Sequence, residues 1–191
     1  MTTAVITASA SIVVAVLVFV LNQRAQLRAE RRLARLDRVA RQLRDLYGPL
    51  HALVDVNERL WRALRDVDLP DSEQRKSDDP LPVEQQEQWM RWLQHALVPA
   101  NIRMRDLIIG HADLVIEDGM PEPLRGFCAH VAAYEVMLSS PDQGVGQRRK
   151  TLIRHPGAPY VDYVRRSFDA LKREQRQLMA TQRKRWRFTA G

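Results

Sequence analysis

The sequence predicts an all-α protein with one N-terminal transmembrane helix, a charged helical stalk and a cytoplasmic helical bundle. Three observations predict this fold class. Residues 4–21 form an uncharged, apolar run. Residues 36–54, "LDRVARQLRDLYGPLHALV", repeat leucine or valine at steps of three and four, the spacing of one helix face. The rest of the chain repeats that spacing and has no convincing run of alternating polar and apolar residues, the pattern of a strand.

The first element, residues 1–22, is predicted to span a membrane. The 18 uncharged residues at positions 4–21 would make a helix of about 27 Å, close to the ~30 Å of a hydrocarbon core. A cleaved signal peptide is the alternative, but no basic residue precedes the run and no small-residue cleavage site follows it. Four arginines follow instead: Arg24, Arg28, Arg31 and Arg32. Because positive charge stays on the cytoplasmic side, we expect the N-terminus outside the inner membrane and the remaining chain in the cytoplasm.

The stalk is predicted over residues 23–47 and the bundle over residues 48–182. The leucine seam runs on through Gly48-Pro49, a pair that normally ends helices. Pro49 either occupies the first turn of a new helix or kinks one long helix. Both alternatives predict a corner between stalk and bundle, formed by Leu46, Tyr47, Gly48, Pro49 and Leu50. The seam also allows a short coiled coil, and so a homo-oligomer through span and stalk.

Further amphipathic helices are predicted within the bundle, where apolar residues recur at steps of three and four. They carry Trp89–Leu97, Ile102–Ile109, Leu124–Leu138 and Val161–Leu178. Two polar stretches with proline or glycine, residues 69–83 and 141–159, are predicted to be loops.

The order of these segments resembles a bacterial family of membrane-anchored proteins of unknown function, whose stalk ends in Leu-Tyr-Gly-Pro-Leu. Here "RQLRDLYGPL", "VPANIRMRDLI" and "HVAAYEVML" carry the resemblance, with Leu46–Leu50 and His130–Tyr134 the more specific pieces. The resemblance implies a fold type and a location, and it brings no known reaction. A bacterial source with a GC-rich genome also fits the 26 Arg against 4 Lys.

The net charge of +7 is concentrated at two flanks. Residues 22–50 carry +5 and residues 172–191 carry +6, whereas residues 51–171 carry −4. The tail, residues 183–191, mixes basic and aromatic side chains: Arg183, Lys184, Arg185, Trp186, Arg187 and Phe188. With Arg24–Arg32 these are candidate contacts to an anionic lipid surface, although a disordered solubilising end has the same composition. No recognised motif accompanies the charge, which disfavours nucleic acid as a partner.

The search for chemistry finds no catalytic, cofactor or metal motif. His111, Asp113, His130 and Glu135 lack the spacing of metal ligands, and "GVGQRRKT" departs from a phosphate-binding loop because Arg149 stands before Lys150. Cys128 is expected to be a packed thiol. One candidate polar cluster remains, formed by His130, Tyr134, Glu135, Asn101 and Arg103. It is either a buried hydrogen-bonded group or a ligand pocket.

The sequence therefore leaves three functional hypotheses. The first is a non-enzymatic, single-pass anchor whose cytoplasmic bundle is a scaffold, sensor or interaction module for an unknown protein partner. The second is a small-molecule-binding or hydrolytic protein that uses the polar cluster around His130. The third is an oligomeric effector that perturbs membranes. An open pocket at the polar cluster would favour the second hypothesis, and buried, mutually bonded side chains would disfavour it.

Overall fold

A computed structural model confirms the all-α class. It describes residues 2–65, 82–139 and 153–189, with side chains over 16–64, 82–139 and 153–181. These residues contain six α-helices and no strand. The helices are α1 (Thr2–Arg41), α2 (Gly48–Arg65), α3 (Val83–Trp92), α4 (Val98–Gly110), α5 (Glu122–Ser139) and α6 (Ala158–Thr189).

Helix α1 includes the segment predicted to cross a membrane. Where side chains are described, the structure has no helix that is both long and apolar enough to do so. Most of the predicted span, residues 4–15, lies outside that part of the chain. The transmembrane helix therefore stays a prediction.

Two π-helical turns connect successive α-helices without a loop. Gln42–Tyr47 joins α1 to α2, and Leu93–Leu97 joins α3 to α4. In a π turn each amide bonds to the carbonyl five residues earlier, so the turn is wider than an α-helical one. Each of the two turns is followed by a proline at the second position of the next helix, Pro49 or Pro99.

The π turns accommodate these prolines because they change which carbonyl lies behind the proline ring. The Gly48 amide donates to the Leu43 carbonyl, and the Val98 amide donates to the Leu93 carbonyl. Regular α-helical spacing would instead press the ring against the carbonyl four residues before it. Gly48 itself keeps helical angles, with φ −66° and ψ −57°.

The chain divides into two compact units, residues 1–40 with 174–191 and residues 41–173. In the first unit Arg35 holds Glu174 through two hydrogen bonds of 2.6 and 3.0 Å, and this contact raises the pKa of Arg35. The predicted domain boundary at residue 48 is not tested by this division and stays a prediction.

The core of the second unit is built from apolar side chains of α2, α4, α5 and α6, of the two π turns and of the connection after α4, whereas no residue of α3 is fully buried. Helix α5 buries Leu124, Phe127 and Val131, at the three-and-four spacing that predicted the helix. The other buried apolar side chains of this unit are Leu43, Leu46, Tyr47, Leu50, Val54, Leu64, Leu93, Leu97, Met104, Ile108, Leu114, Val115, Tyr160, Tyr163, Val164 and Leu171.

The predicted loops and tail are described only in part. Residues 66–81 and 140–152, which hold most of the two predicted loops, lie outside the described residues. Residues 153–157 are non-helical, and Gly157 has a φ of +65°, a conformation that favours glycine. Its carbonyl accepts the amides of Tyr160 and Val161 and so begins α6. The backbone of residues 183–189 belongs to α6, and the side chains of that segment lie outside the described residues.

Candidate functional site

The residues predicted to form a corner lie in the buried interior of the second unit. Leu46, Tyr47 and Leu50 are fully buried, and Gly48 and Pro49 are partly buried. A Cβ built on Gly48 would overlap the carbonyl oxygen of Leu43, so the backbone would have to shift for any other residue. The five residues lie together in an unbroken helical run, in which the π turn accommodates the Gly48-Pro49 pair.

The Tyr47 hydroxyl begins a chain of hydrogen bonds that leads to the surface. It accepts the amide proton of Ile116 at 3.3 Å and lies 2.9 Å from the hydroxyl of Tyr163. Tyr163 donates its proton to the Glu117 carboxylate at 2.7 Å, so Tyr47 must be the donor to Tyr163. Burial raises the pKa of both phenols, and both therefore stay protonated at neutral pH. The chain ties the connection after α4 to the first π turn and to α6.

Gln42 makes a second bond to the same connection. Its side chain is 2% exposed, and its amide nitrogen donates to the Leu114 carbonyl at 3.0 Å. Sequence reasoning did not single out Gln42, because a glutamine within an arginine-rich segment is typical of a solvated face. Its amide oxygen, like those of Asn57 and Asn101, is buried and has no hydrogen-bond partner among the described residues.

Two histidines join α5 to the segment before α6. His130 Nδ1 lies 2.7 Å from the Ile153 carbonyl, which only accepts, so His130 carries a proton on Nδ1. His155 Nδ1 instead accepts the Gly157 amide proton at 2.9 Å, so a neutral His155 carries its proton on Nε2. The two rings meet edge to face, with their centroids 5.1 Å apart. The sequence placed His155 in a loop and gave no signal of this pairing.

Two aromatic rings, those of Phe127 and Tyr160, cover part of the His155 ring. Phe127 and Tyr160 stack with centroids 4.1 Å apart, and both present their rings to His155, at 5.4 and 6.0 Å. The His155 side chain is still exposed at the surface, but loss of hydration against these rings, and then the nearby His130, lower its pKa to about 4. Burial also lowers the pKa of His130. Both imidazoles are therefore neutral at pH 7, and both use Nδ1 to hold the backbone of residues 153–157.

The structure does not assemble the predicted polar cluster into one site. His130 is 7% exposed and its ring lies beside that of Tyr134, with centroids 5.3 Å apart. Glu135 pairs with Arg105 instead. Arg103 is exposed and lines a shallow groove along α4 to which none of the other predicted members contributes. Asn101 is partly buried on the same helix.

Neither Cys128 nor a group of metal ligands supplies a reactive centre in the described part of the chain. Burial raises the pKa of the Cys128 thiol, which therefore stays protonated at neutral pH. Among the described residues, no three His, Cys, Asp or Glu side chains are placed to hold a metal ion. His111 lies at one end of the α4 groove, and Asp113 is exposed in the short 3₁₀ turn that follows.

The candidate lipid contacts of α1 are exposed. Arg24, Arg28, Arg31 and Arg32 all present their side chains to the surface. The apolar side chains of Val16–Leu21, which precede them, are 37–63% exposed. The side chains of the second predicted group, Arg183–Phe188, lie outside the described residues.

Comparison of the chain with protein-family models, curated proteins and solved structures finds no match. The resemblance to a membrane-anchored family therefore stays an expectation from the sequence.

Proposed function

We propose that this protein is a single-pass membrane protein whose helical bundle is a cytoplasmic interaction module, a scaffold or a sensor. One observation carries the anchor: six consecutive large apolar side chains of α1, Val16–Leu21, are all exposed. Consecutive residues point to all sides of a helix, so this segment has no polar face for water. A bilayer would cover all sides, and residues 4–15 extend the same composition toward the N-terminus.

The arginines of α1 support the orientation. Arg24, Arg28, Arg31 and Arg32 follow the apolar segment within about three turns of helix, and their side chains are exposed. Positive charge in a short flank resists translocation, so this end of the helix faces the cytoplasm. The same arginines are well placed to meet anionic headgroups, where each contributes about 1 kcal/mol to binding.

The buried polar groups of residues 41–173 support a module with a fixed shape. Tyr47 and Tyr163 bond each other, and the His130 ring bonds the backbone of Ile153. These bonds join parts of the chain that are far apart in sequence, and they satisfy the hydrogen-bonding capacity of the buried groups. A bundle held in this way presents a constant surface, which is what a scaffold, sensor or interaction module requires of a partner-binding domain.

Membrane extraction with matched variants tests the anchor. Val13→Asp with Leu17→Asp places two charges in the apolar segment, each costing up to about 2.5–3.5 kcal/mol of insertion. The matched control, Leu27→Asp with Leu33→Asp, changes two exposed leucines of the same helix beyond that segment. We expect carbonate washing of membranes to release the first variant and to leave the control and the wild type in the pellet. Release of the wild type, or equal retention of both variants, would contradict the proposal.

Cysteine labelling tests the orientation separately. Thr2→Cys and Ser72→Cys are made one at a time in a Cys128→Ala background. An impermeant thiol reagent added to intact cells should label position 2 and leave position 72 unlabelled until the cells are opened. The reverse pattern would place the bundle outside and would contradict the cytoplasmic location.

A further inference from the structure

Helix α4 has an outward face that is partly apolar. Its inward face buries Met104 and Ile108 in the core. The outward face lines a shallow groove of about 540 Å³. The residues of this groove are Pro99, Ile102, Arg103, Asp106, Leu107 and His111. Next to it Ile109 is 57% exposed, so apolar surface extends beyond the groove.

Four residues form the centre line of this face, which we call the α4 seam: Pro99, Arg103, Asp106 and Gly110. They are spaced by four, three and four, and therefore lie one above another along the helix. Ile102 flanks the seam on one side and Leu107 on the other. The seam has an apolar proline at one end, a glycine without a side chain at the other, and a cation and an anion between them.

The two charges of the seam are only partly satisfied within the chain. No hydrogen bond or ion pair joins Arg103 to the part of the chain that the structure describes. Asp106 accepts two hydrogen bonds from Arg105, of 3.0 and 2.8 Å, and both go to Oδ1. The second carboxylate oxygen, Oδ2, thus keeps its capacity to accept a bond from a cation outside the chain.

We propose that the α4 seam is a dimer interface at which α4 packs antiparallel against α4 of a second copy. A two-fold axis between positions 104 and 105 brings Arg103 to the height of Asp106 in the other copy, and Pro99 to the height of Gly110. Two ion pairs then form by symmetry, and each proline meets the position that has no side chain. The seam is complementary to itself in charge and in size, which is the condition for an isologous contact.

Disulfide crosslinking tests this register in the full chain. Pro99→Cys and Gly110→Cys are placed in separately tagged chains, in a Cys128→Ala background, and coexpressed. In an antiparallel pair positions 99 and 110 of different copies are adjacent, whereas like positions are about 16 Å apart along the helix. We expect disulfide dimers between unlike chains and none between like chains. A parallel arrangement would give the reverse, and a surface that binds some other partner would give neither; either result overturns the proposal.

Charge inversion in the same crosslinking pair tests the ion pairs. Arg103→Asp in both chains creates two like-charge contacts and should lower the crosslinking yield about tenfold or more, as should Asp106→Arg in both chains. With Arg103→Asp in one chain and Asp106→Arg in the other, an acidic seam meets a basic one, and the yield should return. Yields that do not depend on the charges, or that fail to return in the mixed pair, overturn the proposal.

A pair of glycine substitutions separates the interface from the fold. A Cβ at Gly110 or at Gly119 would meet nothing within 4 Å in the chain itself. Gly110→Leu should abolish crosslinking in a pair that carries its cysteines at positions 103 and 106, because it fills the space that the other copy's Pro99 needs. Gly119→Leu should leave the yield unchanged. Equal yields from these two variants would show that the seam is not the contact.

Discussion

The two π turns each allow a proline to follow within a continuous helical run, but they do so with different side chains. Aligned on their prolines, residues 43–50, "LRDLYGPL", and residues 93–100, "LQHALVPA", both begin with a buried leucine whose carbonyl accepts the amide before the proline. At that amide the first turn has Gly48, where a Cβ would overlap the Leu43 carbonyl. The second has Val98, whose side chain packs on the cluster around Leu97. A π turn before proline thus does not itself demand glycine; the close approach of the Leu43 carbonyl to Gly48 does.

The surroundings explain why the first turn cannot relax. Leu46, Tyr47 and Leu50 are fully buried, and the Tyr47 hydroxyl is bonded to Tyr163 and to the amide of Ile116. At the second turn Ala96 stands at the position of Leu46, and Trp92, just before the turn, is 39% exposed. The first turn buries four of its six residues and the second buries two of its five, so strain at the first turn reaches more of the core.

The largest effect is expected from Gly48→Ala. The added methyl group overlaps the Leu43 carbonyl, and relief of this overlap would displace the buried residues of the turn, so we expect a loss of about 3–5 kcal/mol in the free energy of unfolding. Denaturant unfolding of the full chain in detergent, followed by tryptophan fluorescence, measures this change, because the Trp61–Trp89 pair packs against the core.

Gly126→Ala is the matched control. A Cβ at Gly126 would lie 3.8 Å from the Glu122 side chain, an ordinary contact, so alanine in this helix interior should stabilise by about 0.5–1 kcal/mol. If the two substitutions change stability by the same amount and sign, the close approach of Leu43 to Gly48 is wrong.

The next largest loss of stability is expected when the hydrogen bond between Tyr47 and Tyr163 is removed. Tyr47→Phe leaves the Tyr163 hydroxyl without a donor and the Ile116 amide without its acceptor, so we expect a loss of about 1–3 kcal/mol. Tyr163→Phe removes the same bond from the other side. Because the two hydroxyls bond each other, the double variant should lose less than the sum of the single ones, by at least about 0.5 kcal/mol. Additive losses in this double-mutant cycle would show that the two hydroxyls do not bond each other.

The sequence predicted the helices better than it predicted their polar contacts. The spacing of Leu124, Phe127 and Val131 is enough to place one face of α5 in a core, because burial of a helix face depends on local periodicity. Tyr47 and Tyr163 are 116 residues apart, and no local pattern connects them. The bond from the Gly48 amide to the Leu43 carbonyl, five residues earlier, also has no sequence signal, so the sequence alone does not reveal the π turn before Gly48-Pro49.

The segment 153–157 differs from the first turn because histidine side chains, rather than tyrosines, hold it. The pKa of Tyr47 is raised by burial, whereas the pKa of His155 is lowered from an ordinary value of 6.5 to about 4. The unfolded chain therefore binds a proton at His155 between about pH 6.5 and 4 that the folded chain does not. Stability from this group is complete above pH 6.5 and is lost as the pH falls toward 4.

His155→Asn tests this difference, since an asparagine oxygen can still accept the Gly157 amide but does not titrate. We expect the melting temperature of the wild type to fall more steeply between pH 6.5 and 4 than that of the variant. His95→Asn, which changes a histidine of the second π turn and leaves the His155 contacts intact, should keep the steeper wild-type profile. Parallel profiles for the wild type and His155→Asn would mean that His155 is already solvated.

The smallest single effects are expected at the prolines, and they decide what maintains the π turns. Pro49→Ala and Pro99→Ala each restore an amide and a more flexible unfolded chain, and should cost about 0.5–1 kcal/mol.

The restored amide of residue 49 can bond to the Asp45 carbonyl, so the turn is free to tighten toward an α-helix and to withdraw the Leu43 carbonyl from Gly48. In a Pro49→Ala background Gly48→Ala should therefore cost at least about 1 kcal/mol less than in the wild type. The same cost in both backgrounds, measured by the same unfolding experiment, would mean that the surrounding core imposes the wide turn and that the proline only occupies it.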